Sequence, residues 1–147
     1  MSIYSQLKPK VIKWRKSQYI SDFPIISEIL NYNYDPEIEY LRFLRKAQFE
    51  ALETYWYLRL IEKTPHIFNL YKRLYKDPSE LLKALNISIS QEDLIKIMSK
   101  GGMDSIFEKI KKDNDFVKKY RLETLKESLT LNYPSYIFAL AIRLCCN

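Results

Sequence analysis

At 147 residues, with 47% apolar and 29% charged side chains, two Gly and six Pro, the chain has material for one ordinary core and is neither collagen-like nor a disordered polyampholyte. Twenty-four Lys and Arg against eighteen Asp and Glu leave +6, an excess that draws the protein weakly toward polyanions without naming one. The only cysteines, Cys145 and Cys146, are adjacent and have no second pair at metal-ligand spacing, which excludes a zinc site and a disulfide framework.

The opening MSIYSQLKPKVIKWRK lacks the apolar core of a signal peptide, and no run reaches the ~20 apolar residues that span a bilayer. A reducing cytoplasmic compartment without membrane contact is the expectation. Lys8, Lys10, Lys13, Arg15 and Lys16 precede the first acid, Asp22, and mark residues 1–34 as a basic amino-terminal arm of open structure. Such runs usually just face water. The sharper reading is a phosphate-contacting arm, with Lys13, Trp14, Arg15 and Lys16 as the nucleic-acid candidates and Trp14 as an exposed base or groove contact. Tyr19 to Pro24 then mixes β-prone residues with a breaker, and Ile25 to Leu30 suits a helical turn or two.

Residues 35–132 read as a helical region. Asp35 as N-cap, Pro36 at the first helical position and Glu37 in the first turn predict a long amphipathic helix down to Glu62, its stripe made by Ile38, Leu41, Leu44, Gln48, Leu52 and Tyr55. Thr64-Pro65 restarts the chain for a shorter helix ending near Tyr75. Asp77-Pro78-Ser79 is a second cap-and-proline start, and Ser90-Gln91-Glu92-Asp93 opens a segment that Gly101-Gly102 closes as a left-handed C-cap. Helices over about 103–112 and 114–130 follow, and short helices with tight turns predict a small helical bundle.

Residues 133–147 differ. After Asn132-Tyr133-Pro134, Tyr136 to Ile142 is β-branched, aromatic and apolar without alternation, as a strand buried on both faces is. No other convincing strand occurs to pair it, so the expected fold is mostly α with one orphan carboxy-terminal strand, a mismatch that suggests a once longer chain.

Few residues carry chemistry. His66, the only histidine, sits at a helix start and has no metal companions, so no catalytic or metal-ligating residue is assigned. Tyr55, Trp56, Tyr57, Tyr71 and Tyr75 suit core packing better than stacking on a single strand of nucleic acid. The lysines of 103–130 are balanced by acids, as on a solvated face. Gln48 is the exception, because a carboxamide on the apolar stripe asks for a partner, and its acceptor and donors match an adenine edge. From spacing alone, a bond to solvent or to a neighbouring helix is the plainer explanation.

The segment LRFLRKAQFEALETYWYLRL, followed by TPHIFNLYKRLY, resembles the amino-terminal region of DEAD/DEAH-type superfamily 2 helicases related to the helicase subunits of type III restriction enzymes. The resemblance implies that Gln48 reads adenine with Arg45 in support, and that Tyr136 to Ala141 is the first strand of a phosphate-loop domain. It further implies ATP and Mg²⁺ as cofactors of the parent family, DNA as its polymer and a modification (methyltransferase) subunit as a possible companion. The family continues its strand into a Gly- and Lys-bearing phosphate loop, whereas here Ile142-Arg143-Leu144-Cys145-Cys146-Asn147 follows, as a frameshift within that loop would leave. The expectation is therefore an inactive amino-terminal fragment of a restriction or phage-defence ATPase, with no tight nucleotide binding of its own. The alternative is a stand-alone helical module that binds DNA or a protein.

Overall fold

The computed structural model describes residues 2–130, which are mostly α-helical, as the sequence predicts, with one two-stranded sheet. They form two compact units, 2–66 and 67–130. The expected strand at Tyr136 to Ile142 lies outside the described residues.

In the first unit, the basic arm is a helix, α1 (Ile3–Lys16), capped by Ser2, whose hydroxyl accepts the Ser5 N–H at 3.3 Å. Leu7, Val11 and Trp14, spaced four and three apart, make its buried face. Lys13, Arg15 and Lys16 crowd the last turn, where the helix dipole favours cations. Gln18 and Tyr19 then both take left-handed backbone (φ 58° and 57°) and reverse the chain. Helix α2 (Pro24–Asn33) starts on a first-turn proline and buries Leu30.

The long helix expected from Asp35 does not form. Strands β1 (Tyr34–Asp35) and β2 (Tyr40–Leu41) pair antiparallel instead, with Tyr34 opposite Leu41 and Asp35 opposite Tyr40. The Asp35 carboxylate does accept the Glu37 N–H, at 3.1 Å, but that bond closes a turn rather than opening a helix. Glu39, at φ 50°, completes the reversal.

Helix α3 (Lys46–Trp56) begins eleven residues after Asp35 and runs into a π-helical turn, Tyr57–Ile61. Phe49, Leu58 and Leu60 join the face of α1 and Leu30 among the buried residues of this unit. Helix α1 packs on α3 within this first compact unit.

The second unit comprises α4 (Ile67–Leu74), α5 (Pro78–Ala84), α6 (Gln91–Lys112), α7 (Asn114–Tyr120) and α8 (Glu123–Thr130). Asp77 and Ser90 cap α5 and α6 as predicted, accepting the Ser79 N–H at 2.8 Å and the Asp93 N–H at 3.3 Å. Gly101-Gly102 breaks α6 into two arms, with Gly102 at φ 66°, ψ −148°. The helix expected over 114–130 is two helices, because Arg121 sits in left-handed backbone (φ 54°, ψ 51°) between them. Phe68, Ile106, Phe107, Ile110, Val117 and Leu129 lie in one core cluster.

Candidate functional site

Gln48 and Arg45 meet at the start of α3. The Gln48 side-chain oxygen accepts the backbone N–H of Arg45 at 3.0 Å, and both residues are exposed. Gln48 is thus the third helical residue bonding back to the N-cap, half of a capping box. The other half is not made, because a guanidinium has no acceptor to offer the backbone. The Arg-x-x-Gln spacing satisfies an orphan helix-end amide, and the carboxamide on the stripe has its partner without a ligand.

The four basic-arm candidates separate. Lys13 and Lys16 are exposed on α1. Trp14, expected to be exposed, is buried at 6% exposure; its indole N–H donates to the Ile20 carbonyl at 2.9 Å, and its ring meets Tyr19 edge-on at 5.0 Å. An apolar ring at the i+7 position of the Leu7–Val11 stripe has the core as its neighbour, which corrects the expected exposure of Trp14.

Arg15 turns inward to a carboxylate that sequence reasoning did not single out. Its Nε and Nη2 each donate at 2.6 Å to the two oxygens of Glu53, which is 1% exposed, and the Tyr19 hydroxyl donates to the same carboxylate. The guanidinium also lies over the rings of Tyr34 (4.8 Å) and Phe49 (5.5 Å). The bidentate bond to Glu53 pushes Arg15 above its ordinary value, and burial, with the Glu53 bond behind it, pushes the Tyr19 phenol well above the usual tyrosine range. Charge, hydrogen bonds and stacking are all matched within the cluster. It is a device for joining α1 to α3, 38 residues away, rather than a reactive centre. The only sequence signal was Glu53 on a face shared with Phe49, an acid where an apolar residue belongs.

The most unusual surface of this unit is apolar. Eight of the ten exposed large apolar side chains among the described residues fall within 20–43. Ile25, Ile29 and Tyr32 stand at i, i+4 and i+7 of α2, at 65%, 48% and 60% exposure, opposite the buried Leu30. Tyr32 meets the ring of Phe43, itself 69% exposed, at 5.6 Å and so links the helix stripe to the segment after β2. Ile38 and Tyr40 lie on the hairpin between them in sequence.

The second unit offers a cleft of about 940 Å³ lined by α6 and α7, with five lysines and five acids in its wall. These charges largely cancel in place. Lys109 pairs with Asp113 at 2.8 Å, Lys112 with Glu108 at 2.8 Å and Lys119 with Asp93 at 2.7 Å. The Lys119 ammonium, with the Tyr120 hydroxyl, holds the Asp93 carboxyl down at about 2. A wall with no net charge gives a polyanion no field to follow. No helix of the described residues is long and apolar enough to cross a membrane. Comparison of the chain with family models, with curated proteins and with solved structures gives no match.

Proposed function

We propose that this chain is a helical binding module that docks a partner protein through the face formed by α2 and the hairpin. One observation carries the reading: the concentration of Ile25, Ile29, Tyr32, Ile38, Tyr40 and Phe43 on one short stretch of chain, each about half exposed or more, with Tyr32 and Phe43 in ring contact. Scattered single apolar residues need no explanation, whereas a run of them marks a surface built for contact. Among the described residues the core of this unit comes mainly from α1, Leu30 of α2, α3 and the π-helical turn, and none of these six side chains belongs to it.

The test places a photo-crosslinking amino acid at Ile29 and, as a control, at Lys111, in the full chain within living cells. A single protein identified at Ile29, absent at Lys111 and confirmed by reciprocal binding with purified components, supports the reading. Ile25→Asp with Ile29→Asp then abolishes that binding while leaving the fold intact. Equal labelling at both positions, or none, overturns it.

The resemblance to helicases supports a second reading, in which Gln48 contacts adenine and ATP, Mg²⁺ and DNA are the ligands. What favours it here is the exposure of Gln48 and Arg45 at a helix start. Gln48→Glu separates the two roles. Glutamate at the third helical position still accepts the Arg45 N–H, so stability holds, but it no longer offers a donor to a base. Tight, magnesium-dependent ATP binding that disappears in this variant decides for the nucleotide reading; the docking module binds no ATP in either form.

A further inference from the structure

We propose that the partner seated on the α2–hairpin face is an amphipathic helix rich in lysine or arginine; this rests on the docking reading above and adds the chemistry of its occupant. The argument is charge complementarity. The chain as a whole is +6, yet residues 20–41 contain Asp22, Glu28, Asp35, Glu37 and Glu39 and no lysine or arginine.

Two of these acids are already engaged. Asp22 pairs with Lys63 at 3.0 Å and Asp35 with Arg42 at 3.9 Å, and Arg42 also lies over the Tyr32 ring at 5.3 Å. Among the described residues no ion pair engages Glu28, Glu37 or Glu39. Glu28 lies between Ile25 and Ile29 in sequence, exposed on α2, and Glu37 precedes Ile38 on the hairpin, whereas Glu39 lines a hollow with Arg15 and Lys16 of α1. Glu28 beside the α2 stripe and Glu37 beside Ile38 therefore lack counter-ions among the described residues. A stripe at i, i+4 and i+7 with an acidic edge fits a helix whose apolar residues repeat at the same spacing and whose cations fall to either side.

Other occupants fit less well. A second copy of this chain offers the lysines of α1, but the apolar face of that helix is already buried as Leu7, Val11 and Trp14. An anionic membrane is repelled by the same carboxylates.

The test titrates the full chain against two fluorescent peptides of about 18 residues, identical in their leucine pattern, one carrying lysine and the other glutamate at the polar positions. The lysine peptide is expected to bind at least about tenfold tighter than its glutamate counterpart. Its affinity should fall several-fold between about 50 and about 200 mM salt, fall again in Glu28→Lys with Glu37→Lys, and vanish in Ile29→Asp. Circular dichroism and melting of each variant establish that the fold is intact.

If both peptides bind equally and Ile29→Asp abolishes both, the partner chemistry is overturned while the docking face stands. Should neither peptide bind, the proposal fails, and sedimentation equilibrium and flotation with phosphatidylcholine and phosphatidylserine vesicles then distinguish a second copy from a membrane. If no occupant is found and Ile29→Asp lowers the melting temperature as a core substitution does, the face is internal to the chain, and the docking reading falls with it.

Discussion

Replacing Glu53 by glutamine perturbs the first unit at its most constrained polar point. The carboxylate is 1% exposed and accepts two guanidinium bonds of 2.6 Å and the Tyr19 hydroxyl. A carboxamide keeps the shape but has one acceptor oxygen, and Arg15 bonds both positions, so whichever way it turns its NH2 faces one guanidinium N–H, donor against donor. Removing one partner of a buried pair costs about 3–5 kcal/mol. Arg15 is 22% exposed and keeps its place over Tyr34 and Phe49, so it recovers some hydration and the expected loss is at the lower end, about 3 kcal/mol. Urea unfolding followed by tryptophan fluorescence measures it, because Trp14 and Trp56 both lie in this unit and Trp14 touches Tyr19. A double variant, Arg15→Met with Glu53→Leu, should be more stable than Glu53→Gln, since an apolar pair leaves no charge stranded. A loss below about 1 kcal/mol, or a double variant no better than the single one, refutes the argument. The pH dependence has a defined sign. The phenol of Tyr19 is raised in the folded state, so its contribution is complete below about pH 10 and is lost as the pH climbs beyond that. Tyr19→Phe should flatten that alkaline decline.

Gly102→Ala should cost about 1–3 kcal/mol even though space around it is open, because φ 66° with ψ −148° is closed to a side chain. Gly101→Ala meets only the Ser105 hydroxyl, at 2.6 Å, which can rotate away, so thermal melts should rank it as the milder change. Asp93 is held at about 2, so its ties to Lys119 and Tyr120 contribute fully above about pH 4 and are lost as the pH falls toward 2; Asp93→Asn should remove that part of the acid transition, as circular dichroism against pH would show. Arg121→Gly relieves left-handed backbone between α7 and α8 and should raise stability by about 0.5–1 kcal/mol in chemical denaturation, a result that an unchanged midpoint would contradict.

What was legible in the sequence was local. Asp77-Pro78, Ser90 with its acidic first turn, and Gly101-Gly102 each act through bonds or backbone angles within a few residues, and each marks a boundary where it was expected. What was not legible depends on distant partners. Nothing near Arg15 announces Glu53, and nothing near Trp14 announces that α1 packs on α3. Arg121 breaks the chain in a conformation that glycine signals and arginine does not. The apolar residues of 20–43 were visible as letters, but the expected helix from Asp35 turned Ile38 into a core residue; the hairpin leaves it 69% exposed.

Two of the sequence signals with functional weight share one property: each makes a bond that serves more than one structure. An aspartate two residues before an amide makes the same bond in a turn as at a helix start, so Asp35-Pro36-Glu37 does not distinguish a hairpin from a helix until Tyr40 and Leu41 find their partners. Glutamine three residues after an N-cap likewise has a use whether or not a nucleotide is present, because the first helical amides lack acceptors in every helix. A motif of this kind therefore points to a ligand only when its polar atoms have no other employment. In the described residues the Gln48 oxygen is employed, the Arg15 guanidinium is employed, and the cleft lysines 109, 112 and 119 are paired. The unsatisfied surface is the apolar stripe of α2 and the hairpin with its carboxylates, and physical demand for a partner is greatest there.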